Sequence, residues 1–530
     1  MLRYRSFWSL FVVAVLVRGA QAAPPLHEQI DRLIESHPAF EHSAAELADD
    51  ATFLRRAFLD LSGVIPSAAQ VRSFLADPAA EKRVGLVDAL LNSPQYARRM
   101  QYVFDEMLME RRSGKHIPTE EWHAYLHQSF LENRPWDELV REVLSADGSD
   151  LPTRPAAKFL LDRELQADLV TRDLGRIFLG RDLQCAQCHD HPTVDDYLQR
   201  HYFGLSAFVT RSYMFKDAET GVYSIGEKAE GDVEFTSVFT GETSRTAPRL
   251  LDLPPRADPP AEEEPYLVKR AKNVRAVPVY SRRLQLAIAM TDVANVAFRR
   301  NIANRLWAMM MGRGLVEPLD MMHEGNPPTH PQLLDLLSDA LLEHDFDVRY
   351  LLRELALTRA YQRSSDRPTE PTDGEQVYAV GLLKPLSPEQ LAWSMMRATG
   401  AVGEQVPECG AARAELDLTT QTAVEAFVQV FGAAGQSTGY DAAAEQALFL
   451  RNGTLLQSWL AIDEGLVANL STLCEERVPE ELYLSVFSRQ PSDEEAQRVL
   501  DFLTSQEDRR TALQQLVWAS LVSTEFRFNH

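Results

Sequence analysis

The sequence predicts a mainly α-helical fold, with two helical halves separated by a small β-hairpin region and a linker rich in proline and glutamate. Three observations support this fold class. Helix-capping patterns recur along the chain, apolar residues recur at helical spacing, and strand-like alternation is confined to one region. The chain has 530 residues, which suggests two or more packed units.

Composition and charge indicate a globular protein that does not bind nucleic acid. Hydrophobic residues make up 45% and charged residues 25%, as in ordinary globular proteins. Lys and Arg total 54 against 77 Asp and Glu, so the formal net charge is -23. A chain this acidic repels phosphate backbones, which disfavours nucleic-acid binding. Four cysteines are too few for a disulfide framework, so stability must come mainly from apolar burial.

The N-terminus has the pattern of a secretory signal peptide at residues 1–22. Arg3 and Arg5 form a positive region, residues 7–17 are apolar, and Ala20-Gln21-Ala22 is a small-residue cleavage site. The apolar run is shorter than the ~20 residues that a membrane span needs. An uncleaved N-terminal anchor is the alternative. We expect an exported protein, periplasmic or extracellular, that has no transmembrane span after the signal is removed.

Serines mark several predicted helix starts. Ser67 and Ser492 each begin a capping box, in which a Gln or Glu three residues later returns a hydrogen bond. Ser93 and Ser387 each precede a proline, which is favoured at the first helical position. Gly400 is placed to end the helix that follows Ser387. Leucines at helical spacing predict two further helices on either side of residues 344–347.

One region departs from the helical pattern. Residues 222–225 and 233–238 flank a turn rich in Gly, Lys and Glu, and together predict a β-hairpin. Residues 253–265 are dense in proline and glutamate and predict a linker. We therefore predict an N-terminal domain at 23–250, a linker at 251–280 and a helical C-terminal domain at 281–530.

The segment CAQCHDHP at residues 185–192 carries the most unusual chemistry. Cys185 and Cys188 lie three residues apart and His189 follows at once, which is the spacing that attaches c-type haem. In such sites the two thiols bond to one porphyrin edge and the imidazole ligates the iron. Haem attachment outside the cytoplasm agrees with the export signal. We predict that these three residues bind haem c, with electron transfer to a redox partner protein as the function.

Other interpretations of the same segment remain open. Zinc or another transition metal suits Cys185 and Cys188 combined with His189 or His191. The two cysteines also suit a redox or a structural disulfide. The corresponding functions are an extracellular binding or assembly module, or a metal-dependent hydrolase that uses His189 and His191 with nearby acids. No nucleophile elbow, phosphate loop or dinucleotide fingerprint stands out, so no catalytic residue is assigned.

A haem iron commonly takes a second protein ligand, and the sequence does not choose one. The candidates are Met214, Met290, the methionines at 309–311, His191, His201, His323 and His330.

Several strings of the sequence are distinctive when taken in order. They lie at residues 58–63, 90–96, 178–180, 185–192, 304–307, 312–316, 326–331 and 526–530. They resemble an exported protein family of planctomycetes and related bacteria that pairs a cytochrome-type domain with a planctomycete-specific C-terminal domain of unknown function. The resemblance implies export and the same two-part layout. Many relatives have a Phe–acid–x–Trp run after the cysteine motif, where this chain has Thr193-Val194-Asp195-Asp196-Tyr197.

Two smaller predictions concern residues outside the motif. Cys409 and Cys474 are the only other thiols, and we expect them to form a disulfide that contributes about 4 kcal/mol by loop closure. Two separate free thiols are the alternative. Arg305 is a candidate partner for a haem propionate, although an internal contact beside a buried Trp307 is favoured.

Overall fold

The computed structural model describes residues 24–112, 114–239, 241–260, 263–366, 373–403, 411–432 and 443–530. Helices dominate these residues, and the strands among them form two-stranded sheets, which confirms the predicted fold class. Within the same ranges, no helix combines the length and the apolar character that crossing a bilayer requires. Residues 1–22 and Cys409 lie outside the described residues, so the signal peptide and the disulfide stay predictions.

The N-terminal half contains ten α-helices among its described residues. They are α1 (Leu26–Glu35), α2 (Asp50–Ser62), α3 (Ala68–Ala76), α4 (Lys82–Leu91), α5 (Pro94–Met109), α6 (Thr119–Leu131), α7 (Trp136–Ser145), α8 (Lys158–Leu161), α9 (Ala167–Asp173) and α10 (Gln199–Val209). Shorter helical turns are the 3₁₀ turns Arg154–Ala157 and Cys185–Gln187 and the π-helical turn Leu174–Phe178.

The described residues of the C-terminal half contain a second series of helices. They are α11 (Arg282–Met290), α12 (Val296–Met311), α13 (Pro331–Glu343), α14 (Val348–Leu357), α15 (Pro388–Thr399), α16 (Ala411–Phe431), α17 (Ala444–Asn452), α18 (Thr454–Leu460), α19 (Leu466–Thr472), α20 (Val478–Val486), α21 (Asp493–Ser505), α22 (Arg509–Val522) and α23 (Thr524–Arg527). The 3₁₀ turns are Asp373–Glu375 and Glu475–Arg477.

Among the residues that the structure describes, eight short strands pair into four antiparallel sheets. The pairs are β1 (Ser212–Lys216) with β2 (Tyr223–Glu227), β3 (Val233–Thr236) with β4 (Thr243–Thr246), β5 (Tyr266–Val268) with β6 (Val277–Pro278), and β7 (Lys384–Pro385) with β8 (Phe528–Asn529).

The predicted helix caps are confirmed. In each case the serine hydroxyl accepts a hydrogen bond from the backbone amide three residues later, which satisfies a donor that the first helical turn leaves free. Gly400 ends α15 with a φ of 84°, a left-handed conformation that glycine adopts without steric cost. The four pairs are Ser67 with Gln70, Ser93 with Tyr96, Ser387 with Gln390 and Ser492 with Glu495.

The predicted β-hairpin is wrong in its pairing. The two segments expected to pair with each other are β2 and β3, and they belong to different hairpins. The segment between them, residues 228–232, is bound by a side chain from another part of the fold. Arg211 donates to the carbonyl oxygens of Ala229 and Gly231 at 2.8 and 2.9 Å. Arg211 therefore fixes this segment, while each strand pairs with a partner on its other side.

The apolar core of the described part of the chain forms two clusters, and their division does not follow the predicted linker. The first cluster extends from α1 to residue 379 and thus includes α11 to α14, with Leu484 added from α20. The second is built from α15 to α23, together with Leu59 in α2 and Ile65 in the loop that follows α2. Helix α11 packs against α7 and α10, so helices on both sides of residues 251–280 share one core. The residue limits of the predicted domains stay a prediction.

Buried charges on α2 connect the two clusters. Arg55 donates to the carbonyl oxygen of Phe526 at 2.9 Å. Asp60 is buried and accepts hydrogen bonds from Lys384, Tyr361 and Asn529 at 2.7, 2.8 and 2.9 Å. Lys384 and Asn529 belong to the paired strands β7 and β8, so one carboxylate on α2 holds the C-terminal end of the chain.

Candidate functional site

Helix α12 supports the chain just before the cysteine motif. After α9 the chain forms the π-helical turn, a rare geometry that recurs near functional sites. Asn301 donates to the carbonyl oxygen of Ile177 at 2.6 Å, and Arg305 donates to that of Arg176 at 2.8 Å. Arg305 is buried, and this burial lowers its pKa to about 10. Its hydrogen bonds support the internal role favoured from the sequence rather than a contact with a bound group.

A loop from the C-terminal half flanks the start of the motif. Gly180 has a φ of 65°, and its carbonyl oxygen accepts a hydrogen bond from the amide of Met322 at 2.9 Å. The positive φ favours glycine, and a Cβ at Gly180 would lie 2.9 Å from the sulfur of Met322, so that side chain would have to shift. The amide of Asp182 donates to the carbonyl oxygen of Asp320 at 2.8 Å. The buried Tyr197 closes the other end of the segment, since its hydroxyl donates to Met322 O at 3.2 Å.

The two cysteines of the motif share one helical turn. Cys185 begins the 3₁₀ turn, and the amide of Cys188 donates to the carbonyl oxygen of Cys185 at 3.3 Å. Both residues are exposed, and their sulfur atoms are not joined by a disulfide. Two thiols on the same exposed turn are accessible to a reagent that approaches from solvent. Cys474 is also exposed.

His189 presents one ring nitrogen for ligation. Its Nδ1 lies 2.7 Å from the backbone oxygen of Asp190. A carbonyl oxygen only accepts hydrogen bonds, so the neutral ring carries its proton on Nδ1 and keeps a lone pair on Nε2. Among the described residues, none forms a hydrogen bond with that Nε2. This is the tautomer that metal-ligating histidines commonly adopt, with the second nitrogen held by a carbonyl group.

The turn between β3 and β4 supplies apolar side chains beside this ring. The ring centroid of Phe239 lies 5.0 Å from that of His189. Phe239 is 76% exposed and its neighbour Val238 is 64% exposed. The sequence analysis did not single out Phe239. The available signal was two consecutive large apolar residues at a turn, where polar residues are usual.

His191 has the opposite arrangement. The amide of Thr193 lies 3.3 Å from His191 Nδ1 and donates to it, so the neutral ring carries its proton on Nε2. The His191 ring packs edge-on against Tyr197, with centroids 5.8 Å apart. The two histidines of the motif therefore differ in tautomer, and His189 is the one whose Nε2 is free to act as a ligand.

The other candidates for a second iron ligand are dispersed. The ring of His323 packs edge-on against Tyr197, with centroids 5.6 Å apart. His191 contacts the same tyrosine. His201 is buried and held by Asp252, and burial lowers its pKa. His330 is buried beside His37. The methionine candidates Met290, Met310 and Met311 are in the apolar core, Met309 and Met214 pack against it, and Met214 is also paired in β1.

The acidic side chains near the motif have separate roles. One carboxylate oxygen of Asp190 accepts a hydrogen bond from the amide of Gln199 at 2.7 Å, at the start of α10. Asp196 pairs with Arg181 at 3.4 Å, and Asp195 is exposed. Throughout the described ranges, no three side chains of His, Cys, Asp or Glu are grouped so that they could hold a metal ion. Whether haem, a metal or a disulfide occupies the motif stays a prediction.

Comparisons with known proteins give matches at the level of domain families. No curated protein and no solved structure matches the chain. Residues 29–213, which include the whole cysteine motif, match the model of a family described as a protein of unknown function (DUF1549). Residues 282–503 match the model of another family of unknown function (DUF1553). The chain thus carries a DUF1549 domain in its N-terminal half and a DUF1553 domain in its C-terminal half.

Proposed function

We propose that the protein is an exported electron-transfer protein that binds one c-type haem covalently. Cys185 and Cys188 would hold the porphyrin, and His189 would ligate its iron through Nε2. Each thiol adds across a vinyl group, so its hydrogen is retained in the product and no oxidant is needed. The bound group supplies one-electron chemistry, while the protein positions the ligand and controls access of solvent.

The tautomer of His189 is the observation that carries this proposal. The Asp190 carbonyl fixes the proton on Nδ1, which leaves the Nε2 lone pair directed away from the backbone contact. An imidazole ligand to iron needs this arrangement. The two exposed thiols precede this histidine on a single turn, and they are free to react.

The surroundings of the motif are also suited to a large apolar group. Val238 and Phe239 are exposed apolar side chains, and the Phe239 ring contacts His189. Exposed aromatic rings are costly in water, and covering a planar apolar ligand would bury them. Phe239 would take the place of the aromatic run that relatives of the resembled family carry after the motif.

Two alternatives use the same residues. A metal ion without porphyrin would use Cys185, Cys188 and His189, but this set needs a rearrangement because the described side chains form no metal-holding group of three. A dithiol redox pair would use the two cysteines alone, which are exposed and unbonded. Both are separate outcomes of the experiment that tests the proposal.

The experiment is expression of the full chain with an export signal together with a cytochrome maturation system. We expect the mass of the isolated protein to increase by one haem and its absorption spectrum to be that of a c-type haem. Both should be lost in Cys185→Ser and Cys188→Ser. Cys474→Ser is the matched control, because it removes an exposed cysteine outside the motif. Stoichiometric zinc without added haem mass would contradict the proposal, as would a chain that carries neither.

A further inference from the structure

We infer that Gln199 is the positioning residue that holds the cysteine motif against helix α10 and fixes the tautomer of His189. The inference deepens the proposed function, because it names the residue that prepares the proposed ligand. Gln199 lies outside the segment at residues 185–192 and was not a site candidate from the sequence.

Gln199 contacts the motif on both sides of His189. Its side-chain amide donates to the carbonyl oxygen of Cys188 at 3.1 Å and, more weakly, to that of Gln187 at 3.5 Å. Its backbone amide donates to the carboxylate of Asp190 at 2.7 Å. The residues immediately before and after His189 are therefore both bound by one residue.

The buried position of Gln199 at the start of α10 stabilises these hydrogen bonds. Gln199 is the first residue of α10, and only 6% of its surface is exposed. The amides of the first helical turn have no partner within the helix, so the Asp190 carboxylate satisfies one of them and gains from the helix dipole. Buried hydrogen bonds of this kind are costly to leave unpaired, so the motif has little freedom to move away from α10.

The consequence for His189 follows from geometry. The backbone oxygen of Asp190 accepts the Nδ1 proton of His189, and the carboxylate of the same Asp190 is held by Gln199. The Cys188 carbonyl belongs to the peptide group that precedes His189, and Gln199 holds it. The peptide group that carries the Asp190 oxygen is held separately, because the amide of His191 donates to the carbonyl oxygen of Tyr197 at 2.8 Å. Once the side-chain hydrogen bonds of Gln199 are lost, the peptide group before His189 can rotate while the Asp190 oxygen stays in place. The imidazole would then move away from that oxygen, Nδ1 would be released, and the ring would populate both tautomers.

The test uses Gln199→Met, which keeps an unbranched side chain of similar length and removes the side-chain amide that donates to the Cys188 carbonyl oxygen. Gln184→Met is the matched control, because Gln184 is an exposed glutamine in the same loop whose side chain has no hydrogen bond among the described residues. Nitrogen-15 NMR of the haem-free full chain measures the His189 tautomer. We expect at least about 90% Nδ1–H in the wild type and in Gln184→Met, and a mixture of tautomers in Gln199→Met.

Hydrogen exchange of the same samples gives a second measurement. We expect the Cys188 amide to exchange at least tenfold faster in Gln199→Met than in the wild type, with no change at Cys474. Unchanged tautomer and exchange in Gln199→Met would overturn the inference. Because both measurements use haem-free protein, their failure is distinct from failure of the proposed haem attachment, which the mass increase alone decides. If Gln199→Met does not fold, Gln199→Leu serves instead, since leucine favours helix and its side chain has no hydrogen-bond donor.

Discussion

The Nδ1 atom of His189 donates a hydrogen bond to the backbone oxygen of Asp190 over 2.7 Å. This contact distinguishes His189 from His191, two residues later, whose Nδ1 accepts a hydrogen bond from the amide of Thr193. Two histidines in one short loop thus hold their protons on different nitrogens. When the rings are neutral, only His189 has an unprotonated Nε2. We therefore expect substitution of the two histidines to affect ligand binding differently.

Substitution of each histidine separates these roles. We expect His189→Ala to reduce covalently bound haem at least tenfold in the coexpression experiment, because the iron loses its proposed ligand. His191→Ala should retain most of the haem, since the Nδ1 of His191 is already occupied by a backbone amide. Haem content per protein, from intact mass and absorption, is the measurement. The reverse order of the two losses would show that the assignment of the ligand is wrong.

Phe239 should affect the bound group more than the stability of the fold. Because its side chain is 76% exposed, we expect Phe239→Ser to change the free energy of unfolding by no more than about 0.5 kcal/mol. Loss of its apolar contact should admit water near the iron and make the reduction potential more negative. Leu151→Ser is the matched control, as Leu151 is 80% exposed and belongs to another loop. Equal potentials in both variants would refute a role for Phe239.

The buried carboxylate of Asp60 should be important for stability. Asp60→Asn leaves Lys384, whose side chain is only 15% exposed, without its counter-charge, and we expect a loss of about 3–5 kcal/mol in the free energy of unfolding. Asp335→Asn removes the partner of Arg300 in an exposed pair, and its cost should be below about 1 kcal/mol. Urea denaturation followed by circular dichroism compares the two. Similar midpoints for both variants would contradict the proposed connection between the two clusters.

His330 should make the fold sensitive to acid. Burial, with a smaller contribution from the charge of His37, lowers the pKa of His330 to about 4 from its usual value of about 6.5. His330 binds its proton more tightly in the unfolded chain than in the folded one. Its contribution to the free energy of unfolding is therefore fully present above pH 6.5 and is lost between pH 6.5 and pH 4. The shift corresponds to about 3 kcal/mol.

His330→Phe isolates this contribution from that of the carboxylates. We expect the variant to lose less stability than the wild type between pH 6.5 and pH 4, by urea midpoints at a series of pH values. An identical loss in the two proteins would show that His330 does not titrate as its buried environment requires.

Local patterns in the sequence were sufficient for four helix starts, because a capping serine acts within three residues. Ser387 and Gly400 mark the two ends of α15 as predicted. Strand pairing could not be predicted from local patterns in the same way. The expected pairing of β2 with β3 was wrong, because each strand pairs with a segment that the prediction did not include, β2 with β1 and β3 with β4.

The candidate site was predictable in part for the same reason. The motif at 185–192 is visible as a spacing of residue types, whereas Phe239 and Gln199 reach it only after folding. The division of the core near residue 380 also depends on packing of α11 against α7, which are far apart in the sequence. Such long-range contacts leave no periodic signal.

The mass of the full chain isolated after coexpression with a cytochrome maturation system tests the central claim most directly. The account predicts an increase of one haem that resists denaturation and is absent from the Cys185→Ser and Cys188→Ser variants. An unchanged mass in the wild-type protein, with both motif thiols open to alkylation or bound to zinc, would contradict it.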